Sequence, residues 1–120
     1  MVKDILSYLY ALRNRGSSFG IERMARLVEL MDNPQSNFPI IHVAGTNGKG
    51  SVCAMLDAIY RENGYRVGLF TSPHLIELGE RIRVNGQNIF EAEIEEWVDY
   101  LKPLGKRMER GKKDDHPTFF

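Results

Sequence analysis

The stretch His42-Val43-Ala44-Gly45-Thr46-Asn47-Gly48-Lys49-Gly50-Ser51 decides how this chain is read. It closes a short apolar run, Phe38-Pro39-Ile40-Ile41-His42-Val43-Ala44, rich in β-branched residues. Such a run predicts a buried strand, parallel and central in its sheet. Beyond the glycines, Val52, Met55, Leu56, Ile59 and Tyr60 recur at i, i+3, i+4, i+7 and i+8, one face of a helix, and Gly64 stands where a helix-ending glycine belongs. Arg66-Val67-Gly68-Leu69-Phe70 predicts a second strand. Residues 38–70 therefore spell strand, glycine loop, helix, strand, the pattern of a right-handed βαβ unit. The expected class is α/β, a P-loop-type, mostly parallel sheet flanked by helices.

Upstream, Ile5, Leu6, Leu9 and Leu12 predict a helix broken at Arg13-Asn14-Arg15-Gly16-Ser17-Ser18. Ile21, Met24, Leu27, Val28 and Met31 predict another, closed by Asp32-Asn33-Pro34. Both stripes face a core. Downstream, Asn85-Gly86 between Arg81–Val84 and Gln87–Ile89 predicts a small β-hairpin, because a type I′ turn needs positive φ at both central residues. Ile94, Trp97, Val98 and Leu101 predict a last helix, stopped near Pro103. The mostly basic run from Lys106 to Lys113 then reads as a solvated connection.

The 120 residues are 42% hydrophobic and 27% charged, the balance of one globular domain or part of one. Sixteen basic and sixteen acidic residues cancel, which argues against a nucleic-acid binder that works by releasing counterions. No apolar run approaches the ~20 residues that cross a bilayer. The single cysteine, Cys53, forms no internal disulfide and points to the cytoplasm. It is expected as a small buried hydrophobe on the helix, and His42 as a satisfied core histidine inside the strand. The aromatic end, His116-Pro117-Thr118-Phe119-Phe120, reads as a truncation point rather than a natural terminal plug.

The loop at 45–51 carries the chemistry. Glycines let the backbone turn tightly and aim its N–H groups at phosphate oxygens. The helix beginning near Ser51 points its unpaired N–H groups and positive dipole end at the same place, and Lys49 adds a full charge for the outer phosphates of a nucleotide. The string is not the general Walker A pattern, which asks for a glycine at Val43 and a hydroxyl directly after the lysine. Here Gly50 follows Lys49, and the hydroxyl of Ser51 comes one residue later. The metal-binding task then falls to another hydroxyl, or to phosphates and water. Ser72, beyond the second strand, is the nearest candidate, since ligands gather at the carboxyl ends of parallel strands. Spacing alone favours an N-cap or turn role before Pro73 over the metal role.

Three segments in order, His42–Ser51, Gly64-Tyr65-Arg66-Val67-Gly68-Leu69-Phe70-Thr71-Ser72-Pro73-His74-Leu75 and Glu80-Arg81-Ile82-Arg83-Val84-Asn85-Gly86, resemble the folylpolyglutamate synthase/dihydrofolate synthase branch of the Mur ligase family. Phe19-Gly20-Ile21-Glu22-Arg23-Met24 looks like that branch's helix opening. The glycine at 50, with Thr-Ser-Pro-His-Leu, points to the folate branch within the family. The resemblance implies that residues 1–120 are the N-terminal part of an incomplete Mur-ligase ATP-binding domain. It assigns Thr46, Asn47, Gly48, Lys49, Gly50 and Ser51 to ATP, with Lys49 catalytic, and Ser72 to Mg²⁺. Ser18, Phe19 and Gly20, and likewise His116, Pro117, Thr118 and Phe119, match segments that contact the pteroate substrate. His74 is expected to position its loop rather than to catalyse.

The activity so implied is ATP-driven addition of L-glutamate to dihydropteroate, to the γ-carboxylate of folates, or to both, through an acyl phosphate. The partners would be small molecules alone, the parent protein a cytoplasmic monomer, and the 120-residue piece inactive by itself. The alternatives are an amide ligase acting on a UDP-sugar precursor and a P-loop nucleotide-binding module that is no ligase.

Overall fold

The computed structural model describes residues 2–15, 21–111 and 116–118. Its elements there are α1 (Val2–Ala11), α2 (Glu22–Leu30), α3 (Lys49–Glu62), β1 (Gly68–Phe70), β2 (Ile82–Val84), β3 (Gln87–Asn88) and α4 (Glu91–Glu109). Single 3-10 turns lie at Leu12–Arg15, Pro34–Asn37 and Leu78–Arg81. The chain divides into two compact units, one made of Met1–Ile40 with Glu95–Phe120, the other of Ile41–Ile94.

The first unit is helical. Ile5, Leu12, Leu27, Val98 and Met108 are its buried apolar side chains, and Met108 has no exposed surface at all. α1 meets α4 where the Lys102 ammonium lies 4.9 Å from the centre of the Tyr8 ring. α2 ends as its sequence predicts: Asp32 and Asn33 both take positive φ, 62° and 52°, and Pro34 opens the next turn. Only half of its predicted stripe is covered, since Leu27 is buried while Ile21 and Met24 are exposed.

α4 overturns the expected stop at Pro103. Proline removes one i→i−4 hydrogen bond, but the helix continues to Glu109 around it. Burial of Met108 one and a half turns later accounts for the continuation. The basic stretch from Lys106 to Glu109 is thus helical, not a connection. Trp97, placed on the inner face by the sequence pattern, is exposed and stacks edge to face on Tyr100 at 5.9 Å.

The second unit holds a three-stranded sheet in the order β1-β2-β3, antiparallel throughout. Gly68 faces Val84, Phe70 faces Ile82, and Arg83 faces Asn88. The Asn85-Gly86 hairpin forms as read, with φ of 49° and 79°. Asn85 extends the pairing, since its Oδ1 accepts from Val67 N–H at 2.8 Å and its N–H donates to the Val67 carbonyl at 2.8 Å.

The expected parallel sheet is not seen among the described residues, whose three strands pair antiparallel. Phe38–Ala44 runs without strand pairing among the described residues, and Ile40 and Ile41 are 64% and 58% exposed. A parallel strand exists only through its neighbours, and β1, the expected partner, pairs with β2 on one edge and with no described strand on the other. His42 is accordingly exposed rather than a core histidine. Composition reports that a segment favours an extended, buried place; it does not supply the strands that would bury it.

α3 ends where the sequence says and begins at Lys49, two residues before the expected start near Ser51. At its far end Gly64 has φ 83°, its N–H reaches the Arg61 carbonyl at 3.0 Å, and Tyr65 N–H reaches the Tyr60 carbonyl at 3.1 Å. That pair of bonds is a Schellman motif, which returns the chain along the helix into β1. β1 packs on α3. Cys53 on the helix is half-buried and its thiol unpaired by any disulfide, a shallower setting than the buried hydrophobe expected of it.

Candidate functional site

Gly48 is the N-cap of α3, with φ 75° in the left-handed region. The first intrahelical bond is Val52 N–H to the Gly48 carbonyl, 3.0 Å. The N–H groups of Lys49, Gly50 and Ser51 therefore precede the helical ladder. Serine or aspartate at an N-cap would turn its own oxygen onto these donors. Glycine has no such oxygen, and no side chain caps the helix. Three backbone donors and the positive end of a 14-residue helix thus face the loop, with no acidic residue in the first turn to oppose an anion. No described residue lies within 4 Å of where a Cβ would stand at Gly48 or Gly50.

Lys49 closes the loop on itself. Its Nζ donates to the Gly45 carbonyl at 2.5 Å, a bond exposed to solvent. A neutral carbonyl is a weaker partner for an ammonium than a phosphate oxygen. Incoming phosphate would therefore take this donor readily. Thr46, Asn47, Gly50 and Ser51 are all exposed beside it.

Ser72 follows β1 by two residues and is exposed. The Ser72-Pro73 peptide is cis. The loop is fastened by residues whose roles the sequence did not reveal. Glu80 takes backbone hydrogen bonds from Leu75, Ile76 and Glu77, at 2.9, 2.9 and 2.8 Å. These bonds, that of Leu75 foremost, hold the Glu80 carboxyl below the ordinary carboxylate range. Arg81 donates from Nε to His74 Nδ1 at 2.7 Å, which ties His74 into the loop. The available signal was the pair Glu77 and Glu80, three apart, which forms a capping box on the Leu78–Arg81 turn.

Among the described residues no three His, Cys, Asp or Glu side chains gather as a metal cage. Mg²⁺ is commonly held by one or two protein oxygens with phosphates and water completing its shell. Ser72 offers one exposed hydroxyl of the required hard type.

The residues matched to pteroate fare differently. Ser18, Phe19, Gly20 and Phe119 lie outside the described residues. His116 belongs to the first unit and is 5% exposed. Its Nδ1 contacts the Pro117 carbonyl at 2.8 Å, and its own carbonyl accepts from Arg23 Nη1 at 3.5 Å. The ring lies against α4 at Gly105, where a Cβ would come within 2.8 Å of Nε2. Pro117 and Thr118 are half-buried. The His116 ring is thus buried against α4.

No protein-family model matches the chain. A dihydrofolate synthase/folylpolyglutamate synthase of Bacillus subtilis is 40% identical over 101 residues, 84% of this chain and 24% of that protein. The crystal structure of a folylpolyglutamate synthase from Thermotoga maritima aligns with a TM-score of 0.89 at 35% identity, over 99% of this chain and 27% of that one. A folylpolyglutamate synthase solved with AMPPCP and folate aligns with a TM-score of 0.88 at 27% identity, over 99% of this chain and 29% of that one. The chain spans 14% and 24% of the length of the first two curated relatives it matches. No described helix is long and apolar enough to cross a membrane.

Proposed function

Because the chain belongs to the folylpolyglutamate synthase/dihydrofolate synthase family, we propose that it supplies the N-terminal part of the ATP-binding domain of a ligase. That ligase joins L-glutamate to dihydropteroate, to the γ-carboxylate of a folate, or to both. The observation that carries this reading is the uncapped start of α3, where the N–H groups from Lys49 to Ser51 and the Lys49 ammonium converge on an open loop. The relative holding AMPPCP and folate supports the choice of ligands.

In this reading the backbone of Thr46–Ser51 cradles the triphosphate. Lys49 leaves the Gly45 carbonyl to bind the outer phosphates, and the Ser72 hydroxyl contributes to seating Mg²⁺. Bound magnesium supplies positive charge that offsets the repulsion between a carboxylate and a triphosphate. The folate carboxylate takes the γ-phosphoryl group and forms an acyl phosphate with release of ADP. The amine of glutamate, having lost a proton, attacks the acyl carbon; an amide C–N bond forms and phosphate leaves. Ser18, Phe19 and Gly20, with His116 to Phe119, would contact the pteroate portion. The protein would work in the cytoplasm as a monomer on small molecules alone. The 120-residue chain by itself would turn over no substrate, since the glutamate site would lie in the remainder of the protein.

The test is ADP release by the full-length protein in the presence of folate or dihydropteroate. Release that requires L-glutamate is expected. Release indifferent to glutamate, or seen only with UDP-sugar precursors, would remove this function.

A further inference from the structure

The stretch around Ser72 is held from both sides by the same short turn. Before it, Thr71 N–H donates to the Arg81 carbonyl at 2.9 Å. After it, Arg81 Nε donates to His74 Nδ1 at 2.7 Å. Ser72 and Pro73 bridge these two fixed points. Glu80 then fixes the following residues, its Oε1 accepting from Ile76 and Glu77 and its Oε2 from Leu75.

A capping box accounts for the Glu77 bond and no more. The bonds to Leu75 and Ile76 reach back along the chain towards Ser72, beyond any need of the turn. Nor does hydrophobic burial set this segment's shape, because Leu75 and Ile76 are 91% and 85% exposed. A carboxylate that gathers three amides where apolar packing contributes little has the effect of fixing a backbone path.

We propose that Glu80 is a positioning residue for Ser72, setting the path of residues 74–77 so that the Ser72 hydroxyl is presented to a magnesium–nucleotide. This deepens the ligase reading and rests on the role given there to Ser72. Glutamine at position 80 would keep one acceptor oxygen, and with it the bonds to Ile76 and Glu77, while its amide nitrogen could not accept from Leu75.

The test is calorimetric binding of the non-hydrolysable nucleotide AMPPCP to the full-length protein, with and without Mg²⁺, for wild type, Ser72→Ala, Glu80→Gln and the double variant. Magnesium is expected to strengthen wild-type binding. Ser72→Ala and Glu80→Gln should each lose about tenfold of that increment, the scale of one hydrogen bond to a charged group. The double variant should lose no more than Ser72→Ala alone, the mark of two residues acting through one group. Metal-free binding should stay near wild type in all four. A full increment in Glu80→Gln, losses that add in the double variant, or a matching fall in metal-free binding would each overturn the proposal. If Ser72→Ala loses the increment and Glu80→Gln keeps it, Glu80 alone is rejected. An increment intact in Ser72→Ala would remove the role of Ser72, and the proposal with it.

Discussion

The glycine loop at residues 45–51 and the Ser72 loop at residues 71–81 belong to the same unit and are held by different means. The first depends on backbone conformation: Gly48 sits at φ 75°, no side chain caps the helix behind it, and the Lys49 bond to Gly45 is solvent-exposed. The second is cross-tied by side chains, with Glu80 on three amides and Arg81 on His74, while the Arg81 backbone carbonyl takes the Thr71 amide. In the proposed reading, one would keep its donors available for an anion, and the other would use its polar groups to set the place of one hydroxyl. A site that receives a triphosphate and orients a metal benefits from that division, since the donors must exchange partners and the hydroxyl must not wander.

The comparison can be broken most severely at Gly79. A Cβ there would stand 2.6 Å from the backbone carbonyl oxygen of Ile89, and backbone cannot step aside as a side chain can. Gly79→Ala is expected to cost about 1–3 kcal/mol of stability through overpacking. In the full-length protein this should lower the urea midpoint with m unchanged. An unaltered midpoint would mean that the Leu78–Arg81 turn does not hold the Ser72 loop against the sheet.

At the glycine loop the expected effect is smaller and of another kind. Nothing lies within 4 Å of a Cβ at Gly48, so Gly48→Ala meets no steric obstacle, only the left-handed backbone. That costs about 1–2 kcal/mol, or roughly tenfold in ATP affinity. Gly48→Asn should lose less, because asparagine enters this region more easily. Equal affinities for glycine, alanine and asparagine would show that the nucleotide-bound loop abandons this conformation.

The smallest effect is a titration. The Glu80 carboxyl is held below its ordinary range by amide donors, so it binds its proton more weakly when folded than when unfolded. Its contribution is therefore present above the unfolded-state pKa and lost as pH falls through the lower folded value. The amide resonances of Leu75, Ile76 and Glu77 should shift together at that lowered midpoint. A midpoint at the ordinary glutamate value would mean that the three bonds are not kept in solution.

The two loops were also unequally legible in the sequence. Gly64 declared the end of α3, whose start fell within two residues of the reading near Ser51, and Asn85-Gly86 declared the hairpin, because each requirement is local: a positive φ, a missing Cβ, a cap. What depended on partners was not declared. Phe38–Ala44 has the composition of a buried strand and no strand pairing among the described residues, while Phe70 pairs with Ile82 across an antiparallel ladder that no periodicity specifies. Pro103 looked like an end because its local cost is visible in sequence, whereas the burial of Met108 that outweighs it is not. Glu80 escaped notice for the same reason. Its partners are backbone amides, which carry no residue-type signal.

The central claim is that the turn around Lys49 binds the phosphates consumed in the reaction. The most direct measurement is ATP turnover by the full-length protein carrying Lys49→Ala, alongside its equilibrium binding of folate. The account predicts a loss of about 10²–10³-fold in turnover, the scale of removing one preorganised donor at a developing charge, with folate binding near wild type. Wild-type turnover in that variant would contradict it.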